Sequence, residues 1–199
     1  DRTFKGGSAT RSWTPGIVEV SSLKGNVTFS DVKLLNDGKV LASGTVNGRF
    51  LVVRFLADGR RDRSFGRKGV WSFDVARQPG CYCAGAVGMA RDRFGRVLVA
   101  GHVMKSGLGT SDLRPVVVRL RRDGRIDRSF GVNGVARPEL SEYITLKDGT
   151  PVRRFLATGL TLQKDGRIVI SGEYNFGYSL IRLKPNGRTD LSFFDDGVF

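Results

Sequence analysis

Short apolar runs separated by glycine-containing dipeptides set the hydrophobic pattern of this chain. Residues 97–99, 116–118 and 168–170 are examples, and most of their side chains are β-branched. Such runs predict β-strands, and the Asp-Gly and Asn-Gly dipeptides that bound them supply the positive φ angles of tight turns. Because the runs are nearly continuous rather than alternating, they predict strands buried on both faces, as in stacked sheets. No window longer than ten residues has a helical period.

One sequence block recurs three times along the chain. In each copy a glycine is followed six residues later by a second glycine, and a short apolar run lies between them. Repetition at a fixed internal offset is the signature of a repeat protein, in which each copy folds as one unit. The paired glycines are Gly38 and Gly44, Gly95 and Gly101, and Gly166 and Gly172.

A second block follows each copy of the first. It places a glycine six residues before a phenylalanine, with an aspartate three residues before that phenylalanine. We predict that the Asp and Ser of the Asp-x-Ser-Phe motif bond to nearby backbone amides in a turn, and that the Phe fills the apolar seam between units. The motif residues are Gly59, Asp62 and Phe65, then Gly124, Asp127 and Phe130, then Gly187, Asp190 and Phe193.

The spacing of the motif phenylalanines gives the size of the unit. Counting Phe4 in the initial Asp1-Arg2-Thr3-Phe4, they stand at positions 4, 65, 130 and 193. In the first full unit, strands are expected near 28–35, 39–44, 49–56 and 69–75. Four antiparallel strands in roughly 60 residues is the size of a propeller blade. The sequence therefore predicts an all-β, β-propeller-like domain over 1–199 with three four-stranded blades, in units near 1–10 (the tail of a preceding unit), 28–75, 84–137 and 157–199.

The two blocks together resemble a known family. The run Asp-Gly-Lys-Val-Leu-Ala-Ser-Gly at 37–44 and the Asp-x-Ser-Phe-Gly motif are similar to the delta-60 repeat of bacterial proteins. The resemblance implies a β-propeller in a secreted, cell-surface or periplasmic protein, with no established catalytic activity. The chain departs from the pattern at Phe94, which replaces the turn aspartate, and at Phe194, which replaces the glycine after Phe193. An insertion near 105–114 also lengthens the second unit.

Three blades are fewer than a closed propeller normally contains. Two interpretations of this shortfall stay open. A homodimer could complete a six-bladed ring, or the missing blades could lie in a longer polypeptide, since the chain starts and stops within repeat motifs.

The net charge of +14 favours acidic partners. A protein or an acidic polymer or surface is the expected partner, and nucleic acid is less favoured because the motif aromatics are predicted to be buried. Basic residues cluster around the second-block glycines, so equivalent positions should form a basic rim. The alternative is a solvated rim that serves solubility. The rim residues are Arg60, Arg61, Arg63, Arg121, Arg122, Arg125, Lys184 and Arg188.

Candidate catalytic chemistry is sparse in this sequence. His102 is the only histidine, and Cys81 and Cys83 could form a strained disulfide or remain free thiols. We therefore predict a non-catalytic scaffold or binding module without a cofactor or metal. The insertion near 105–114, and then the linkers 11–27 and 137–156, are the first candidates for specific contacts. The rival functions are a structural subunit of a large assembly and a hydrolase or lyase with a site in the central channel.

Overall fold

The computed structural model describes residue 17 and residues 23–76, 81–105, 112–140, 144–145, 151–152, 154–174 and 177–193. Every regular element in these ranges is a β-strand, and neighbouring strands are antiparallel. The predicted all-β fold class is therefore confirmed. None of the described residues form a helix that could cross a membrane.

The first blade is a four-stranded sheet with the strands in sequence order. Its strands match those expected from the apolar runs to within a few residues. They are β1 (Val27–Leu34), β2 (Val40–Val46), β3 (Arg49–Phe55) and β4 (Val70–Phe73).

The second blade has the same strand order. Its fourth strand is only two residues long, against four in blade 1, although the same Asp-x-Ser-Phe turn precedes both strands. The strands are β5 (Cys81–Arg91), β6 (Val97–Lys105), β7 (Leu113–Leu120) and β8 (Val135–Ala136).

The third blade is described as three strands rather than four. Residues 194–199, where its fourth strand was expected, lie outside the described ranges. A short two-stranded pair, β9 (Ile144–Thr145) and β10 (Pro151–Val152), precedes this blade in the chain. Its own strands are β11 (Phe155–Leu162), β12 (Ile168–Tyr174) and β13 (Gly177–Leu183).

The second glycine of the first block sits opposite a β-bulge. The first strand of each blade has a bulge at the same point, for example between Ala86 and Gly88 in β5. A bulge bends the strand locally and leaves one residue unpaired. A Cβ atom at Gly44 or Gly101 would collide with a carbonyl oxygen of this bent strand. Glycine recurs at this position because the first strand passes too close for a side chain.

Strand β5 packs between the first strands of the other two blades, β1 and β11. The apolar core fills the two seams on either side of it, with Phe50 and Val52 in one cluster and Phe155 and Ile170 in the other. Strands β3 and β7 are buried almost throughout, as the continuous apolar runs predicted. Strand β1 differs, because Val32 and Leu34 are 63% and 76% exposed.

One polar contact joins the first strands of blades 1 and 2. The backbone N–H of Met89 donates to Asp31 Oδ2 at 2.9 Å. Gly88 occupies the position of Asp31 in the second blade, as the register of both bulges shows. The seam between blades 2 and 3 therefore lacks this side-chain bond.

Candidate functional site: the seam cluster and the basic rim

Each blade carries a cluster of four side chains at its edge, which we call the seam cluster. In blade 1 it consists of Arg54, Asp62, Ser64 and Phe65. Arg54 donates to Asp62 Oδ2 at 2.9 Å, and its guanidinium lies 4.7 Å from the centre of the Phe65 ring. Asp62 Oδ1 accepts from the N–H and the hydroxyl of Ser64 at 3.1 and 2.6 Å. Asp62 thus binds Ser64 of the turn through Oδ1 and Arg54 through Oδ2.

The same geometry recurs in the other two blades. The Arg–Asp bond is 2.8 Å in both, and the arginine lies 4.6 and 4.3 Å from the ring centre. The clusters are Arg119, Asp127, Ser129 and Phe130 in blade 2, and Arg182, Asp190, Ser192 and Phe193 in blade 3.

The seam cluster binds the turn that follows the third strand of the next blade, which we call the seam turn (56–60, 121–125 and 184–188). Arg54 Nη1 donates to the Arg122 carbonyl at 2.9 Å, and Gly66 N–H donates to the Asp123 carbonyl at 2.7 Å. Phe65 is fully buried against Gly124 of the same turn. These contacts bind adjacent blades to each other.

The contact between blades 2 and 3 repeats that arrangement. Arg119 Nη1 donates to the Pro185 carbonyl at 2.8 Å, and Gly131 N–H donates to the Asn186 carbonyl at 2.8 Å. Phe130 is fully buried and packs on Gly187. In blade 3, no seam turn within the described ranges covers the equivalent cluster, and Phe193 is only half-buried.

The seam carboxylates are held in the ionised form. Burial raises the pKa of Asp62, but the hydrogen bonds from Ser64 and the charge of Arg54 outweigh it and leave the pKa below its ordinary value. The pKa of Asp127 also lies below its ordinary value, because the hydrogen bonds from Ser129 and the charge of Arg119 outweigh the effect of burial. For Asp190, the Ser192 hydroxyl, Arg167 and Arg182 lower the pKa to about 2. Carboxylates with lowered pKa values do not serve as proton donors near neutral pH.

The seam arginines were not singled out by sequence reasoning. Arg54, Arg119 and Arg182 each interrupt an apolar strand at the same repeat position, eight residues before the motif aspartate. A charged side chain recurring inside an apolar strand signals a buried partner, because an unpaired buried charge is costly. That recurrence is the signal that could have identified them.

The structure places most basic rim residues on exposed positions. Arg60 pairs with Asp58 at 2.6 Å, and Arg125, 81% exposed, lies 3.6 Å from Asp123. Arg61 is half-buried and forms a backbone bridge with Phe55. The other rim residues are exposed and their side chains make no ion pair with any described residue. These are Arg63, Arg121, Arg122, Lys184 and Arg188.

The rim residues of the blade 2 and blade 3 seam turns lie beside the seam cluster of the blade before. Each seam turn also touches the turn between the first two strands of its own blade. A Cβ at Gly38 would contact Ala57, one at Gly95 would contact Arg122, and one at Gly166 would contact Pro185. Both turns therefore lie at the same end of each sheet. The hydrogen bonds across the seams connect these ends from one blade to the next.

Phe94 lies at the same end, and the sequence indicated its departure from the repeat but not the exposure of its ring. Phe94 is 61% exposed, and the guanidinium groups of Arg93 and Arg96 lie 4.8 and 5.0 Å from its ring centre. Phe94 stands where the repeat pattern has an aspartate. Departures from a repeat are therefore the signal that separates local chemistry from shared scaffold.

The remaining candidates lie on or near the second blade. His102 is in β6, where burial lowers its pKa, and its Nδ1 has no hydrogen-bond partner among the residues that the structure describes. Cys81 and Cys83 belong to β5, but their side chains are outside the described part. Residues 106–111 of the insertion also lie outside it, as do most of the linker 11–27 and residues 141–143, 146–150 and 153 of the linker 137–156. At the end of the insertion, Asp112 is fully buried and binds Arg114.

The residues that the structure describes contain no group of three or more His, Cys, Asp and Glu side chains arranged to hold a metal ion. The carboxylates that recur in every repeat are instead bound to arginines and turn amides.

Sheets of three or four antiparallel strands joined by a recurring seam define a protein built from β-propeller-type repeats. Comparison with protein families agrees: residues 35–65, 95–130 and 163–193 match a family described as a domain of unknown function (DUF5122) beta-propeller. Each match ends on a motif phenylalanine, and each contains the complete seam turn and seam cluster of its blade. The match does not extend to the delta-60 name, which stays a resemblance. No curated protein matches the chain.

Proposed function

We propose that this chain is a non-catalytic β-propeller module that binds an acidic macromolecule, a protein or an acidic polymer, through its basic rim. The observation that carries the proposal is the set of exposed rim cations without carboxylate partners among the described residues: Arg63, Arg121, Arg122, Lys184 and Arg188. We further propose a secreted, cell-surface or periplasmic bacterial setting, which the delta-60 resemblance implies.

The hydrogen bonds and ion pairs of the acidic residues support this proposal. Asp62, Asp127 and Asp190 are turned inward and bound by the seam arginines. Asp58 and Asp123 pair with arginines of their own turns. These carboxylates are therefore already paired. Since the net charge of the chain is +14, unpaired positive charge remains at this end of the sheets.

The seam chemistry also favours a binding module over an enzyme. The recurring aspartates are held ionised by hydrogen bonds and arginines, as their lowered pKa values indicate. Proton transfer at neutral pH is better served by a group whose pKa lies near 7. A hydrolase or lyase would therefore need other residues than the carboxylates that the repeat provides.

Nucleic acid is the less favoured partner. Single-stranded nucleic acids stack their bases on exposed aromatic side chains. Phe65 and Phe130 are fully buried in the seams, and the exposed ring of Phe94 is already in contact with Arg93 and Arg96.

Reversing two rim charges tests the basic rim. Arg121 and Lys184 occupy equivalent positions in neighbouring seam turns, and both are exposed. We expect the double variant R121E/K184E to elute from immobilised poly-L-glutamate at a clearly lower salt concentration than the unmodified protein, since each lost contact reduces counterion release.

The matched control is K24E/R49E, which reverses two exposed charges beside the opposite, Asn47-Gly48 turn of blade 1. It changes the net charge equally, so its elution should shift much less if the rim is the binding surface. Equal shifts for the two variants would mean that binding follows total charge, and the basic rim would be rejected.

A second candidate function is self-assembly, favoured by the third seam cluster. Arg182, Asp190 and Phe193 have the geometry of the two occupied clusters, yet no described seam turn covers them. The blade 1 turn has a matching glycine, with φ of +86° at Gly59 against +81° and +89° at Gly124 and Gly187. A second copy could therefore supply the missing turn and complete a six-bladed ring.

Solution mass from light scattering after size exclusion tests self-assembly. We expect a mass near twice 21.8 kDa, and a shift to the monomer mass in F193D, which puts a charge into the apolar half of the contact. A monomer at all concentrations, or a dimer unaffected by F193D, would contradict assembly through this cluster.

A further inference from the structure

Two arginines in the second blade depart from the repeat at the same end of the sheet. Arg91 ends β5, where the equivalent first strands end in Leu34 and Leu162. Arg122 lies in the seam turn, where the other blades have Ala57 and Pro185 against the matching glycine. Blades 1 and 3 thus fold with uncharged residues at both positions, so the scaffold does not require these charges.

The two arginine side chains converge over Gly95. A Cβ atom built there would lie 3.0 Å from Arg91 Nη2 and 3.5 Å from Arg122 Cδ. Both side chains are exposed, and neither makes a hydrogen bond or ion pair with another residue in the described ranges. An anion bound between these side chains would reduce the repulsion between their like charges.

The space beside these arginines is a crevice of about 420 Å³ between blades 1 and 2. Its other charged side chains are already paired. Lys39 lies 3.0 Å from Asp37, and Arg54 is bound to the buried Asp62. Asp123 is closest to Arg125, at 3.6 Å. Positive charge that is free to bind a ligand is thus concentrated on Arg91 and Arg122.

We propose that Arg91 and Arg122 form a binding site for a tetrahedral oxyanion, the phosphate or sulfate ester group of a larger ligand. A carboxylate is planar and is satisfied by a single guanidinium fork. A tetrahedral oxyanion presents oxygens in several directions and can accept from two arginines that approach from different elements. This inference rests on the proposed function, since the site would be the specific contact within the rim's general attraction.

Isothermal titration with inorganic phosphate, inorganic sulfate and acetate at equal, low ionic strength tests the site. We expect saturable binding of phosphate and sulfate at one site per chain, and no saturable binding of acetate in the same range. Tighter phosphate binding would identify a phosphate ester as the source of the anion, and tighter sulfate binding a sulfate ester. Acetate binding as tight as that of phosphate, or no saturable binding at all, would overturn the proposal.

The variant R91L/R122A replaces both residues by those of blade 1, Leu34 and Ala57, and should therefore fold. We expect it to raise the dissociation constant of phosphate at least about tenfold, because two charge-assisted contacts are lost. The control is R67V/R128L, which removes the same charge from two exposed positions outside the rim, where other blades have Val132 and Leu191. Its dissociation constant should change no more than about twofold, the part due to general electrostatics.

Equal losses in R91L/R122A and R67V/R128L would overturn the site. Matching circular dichroism spectra and melting temperatures of the two variants would show that both remain folded. The outcome is independent of the poly-L-glutamate experiment, because Arg121 and Lys184 do not line this crevice. Phosphate binding without retention on poly-L-glutamate would reject the rim alone. Retention on poly-L-glutamate without saturable phosphate binding would reject the oxyanion site alone.

Discussion

Replacing Arg119 by methionine will lower the free energy of unfolding by about 3 kcal/mol or more, because it removes the arginine that is hydrogen-bonded to the buried Asp127 carboxylate. Arg119 and Asp127 side chains are 5% and 7% exposed, and they bind at 2.8 Å. The same substitution removes the bond to the Pro185 carbonyl of the next blade and the contact with the Phe130 ring. Methionine retains an apolar stem of similar length, so the loss reports mainly on the polar contacts.

Urea unfolding followed by circular dichroism measures this loss, with two variants for comparison. R125M removes an exposed arginine of the seam turn, and its effect should stay within about 0.5 kcal/mol. R182M removes the equivalent seam arginine of blade 3, where Arg167 still binds Asp190 at 2.9 Å, whereas the second arginine beside Asp127, Arg96, lies 3.8 Å away. Its effect should be smaller than that of R119M. An R119M effect no larger than that of R125M would show that the seam cluster does not hold the blades together.

The sequence predicted the architecture because the repeat encodes it locally. Apolar runs of strand length alternate with glycines that the structure shows at positive φ, such as Gly38 and Gly95. Each strand pairs with its neighbour in the chain, so the turns alone determine the strand order. The recurrence of Phe65 and Phe130 at one offset likewise indicated a shared structural position, and the structure places both rings in the seams.

The hydrogen bonds between blades could not be predicted from the sequence. Arg54 binds Asp62 within its own blade, but its second bond goes to a carbonyl 68 residues later. A backbone carbonyl has no side-chain signature, so no pattern identifies it as an acceptor. The convergence of Arg91 and Arg122 is equally hidden, since it depends on how a strand end and a seam turn meet over Gly95.

Shared scaffold and specific chemistry can therefore be separated by comparing the blades within this one chain. Residues that recur, such as the seam arginines, act between blades. Residues that break the repeat while the backbone is unchanged, such as Arg91 and Arg122, are available for a ligand. This reasoning favours the crevice between blades 1 and 2 over its counterpart between blades 2 and 3, where Leu162 and Pro185 stand at the equivalent positions.

The glycines of the turns allow the seam itself to be tested without changing any charge. Gly124 and Gly166 both have positive φ angles, +81° and +86°. An alanine at either position meets the same backbone strain, of about 1 to 2 kcal/mol. Their surroundings differ, because a Cβ at Gly124 would lie 2.6 Å from the Gly66 nitrogen and 2.9 Å from the Phe65 ring. A Cβ at Gly166 would lie no closer than 3.6 Å to Pro185.

We therefore expect G124A to lower the free energy of unfolding by about 1 to 3 kcal/mol more than G166A, the cost of forcing a methyl group into a packed contact. The excess should also appear as loss of cooperativity between blades 1 and 2, because the collision separates the Phe65 ring from the seam turn. Equal effects of the two variants in urea unfolding would mean that the blade 2 seam turn accommodates the added methyl group without strain. The blades would then be joined chiefly by the packing of β1, β5 and β11, and the recurring Asp-x-Ser-Phe motif would serve only its own turn.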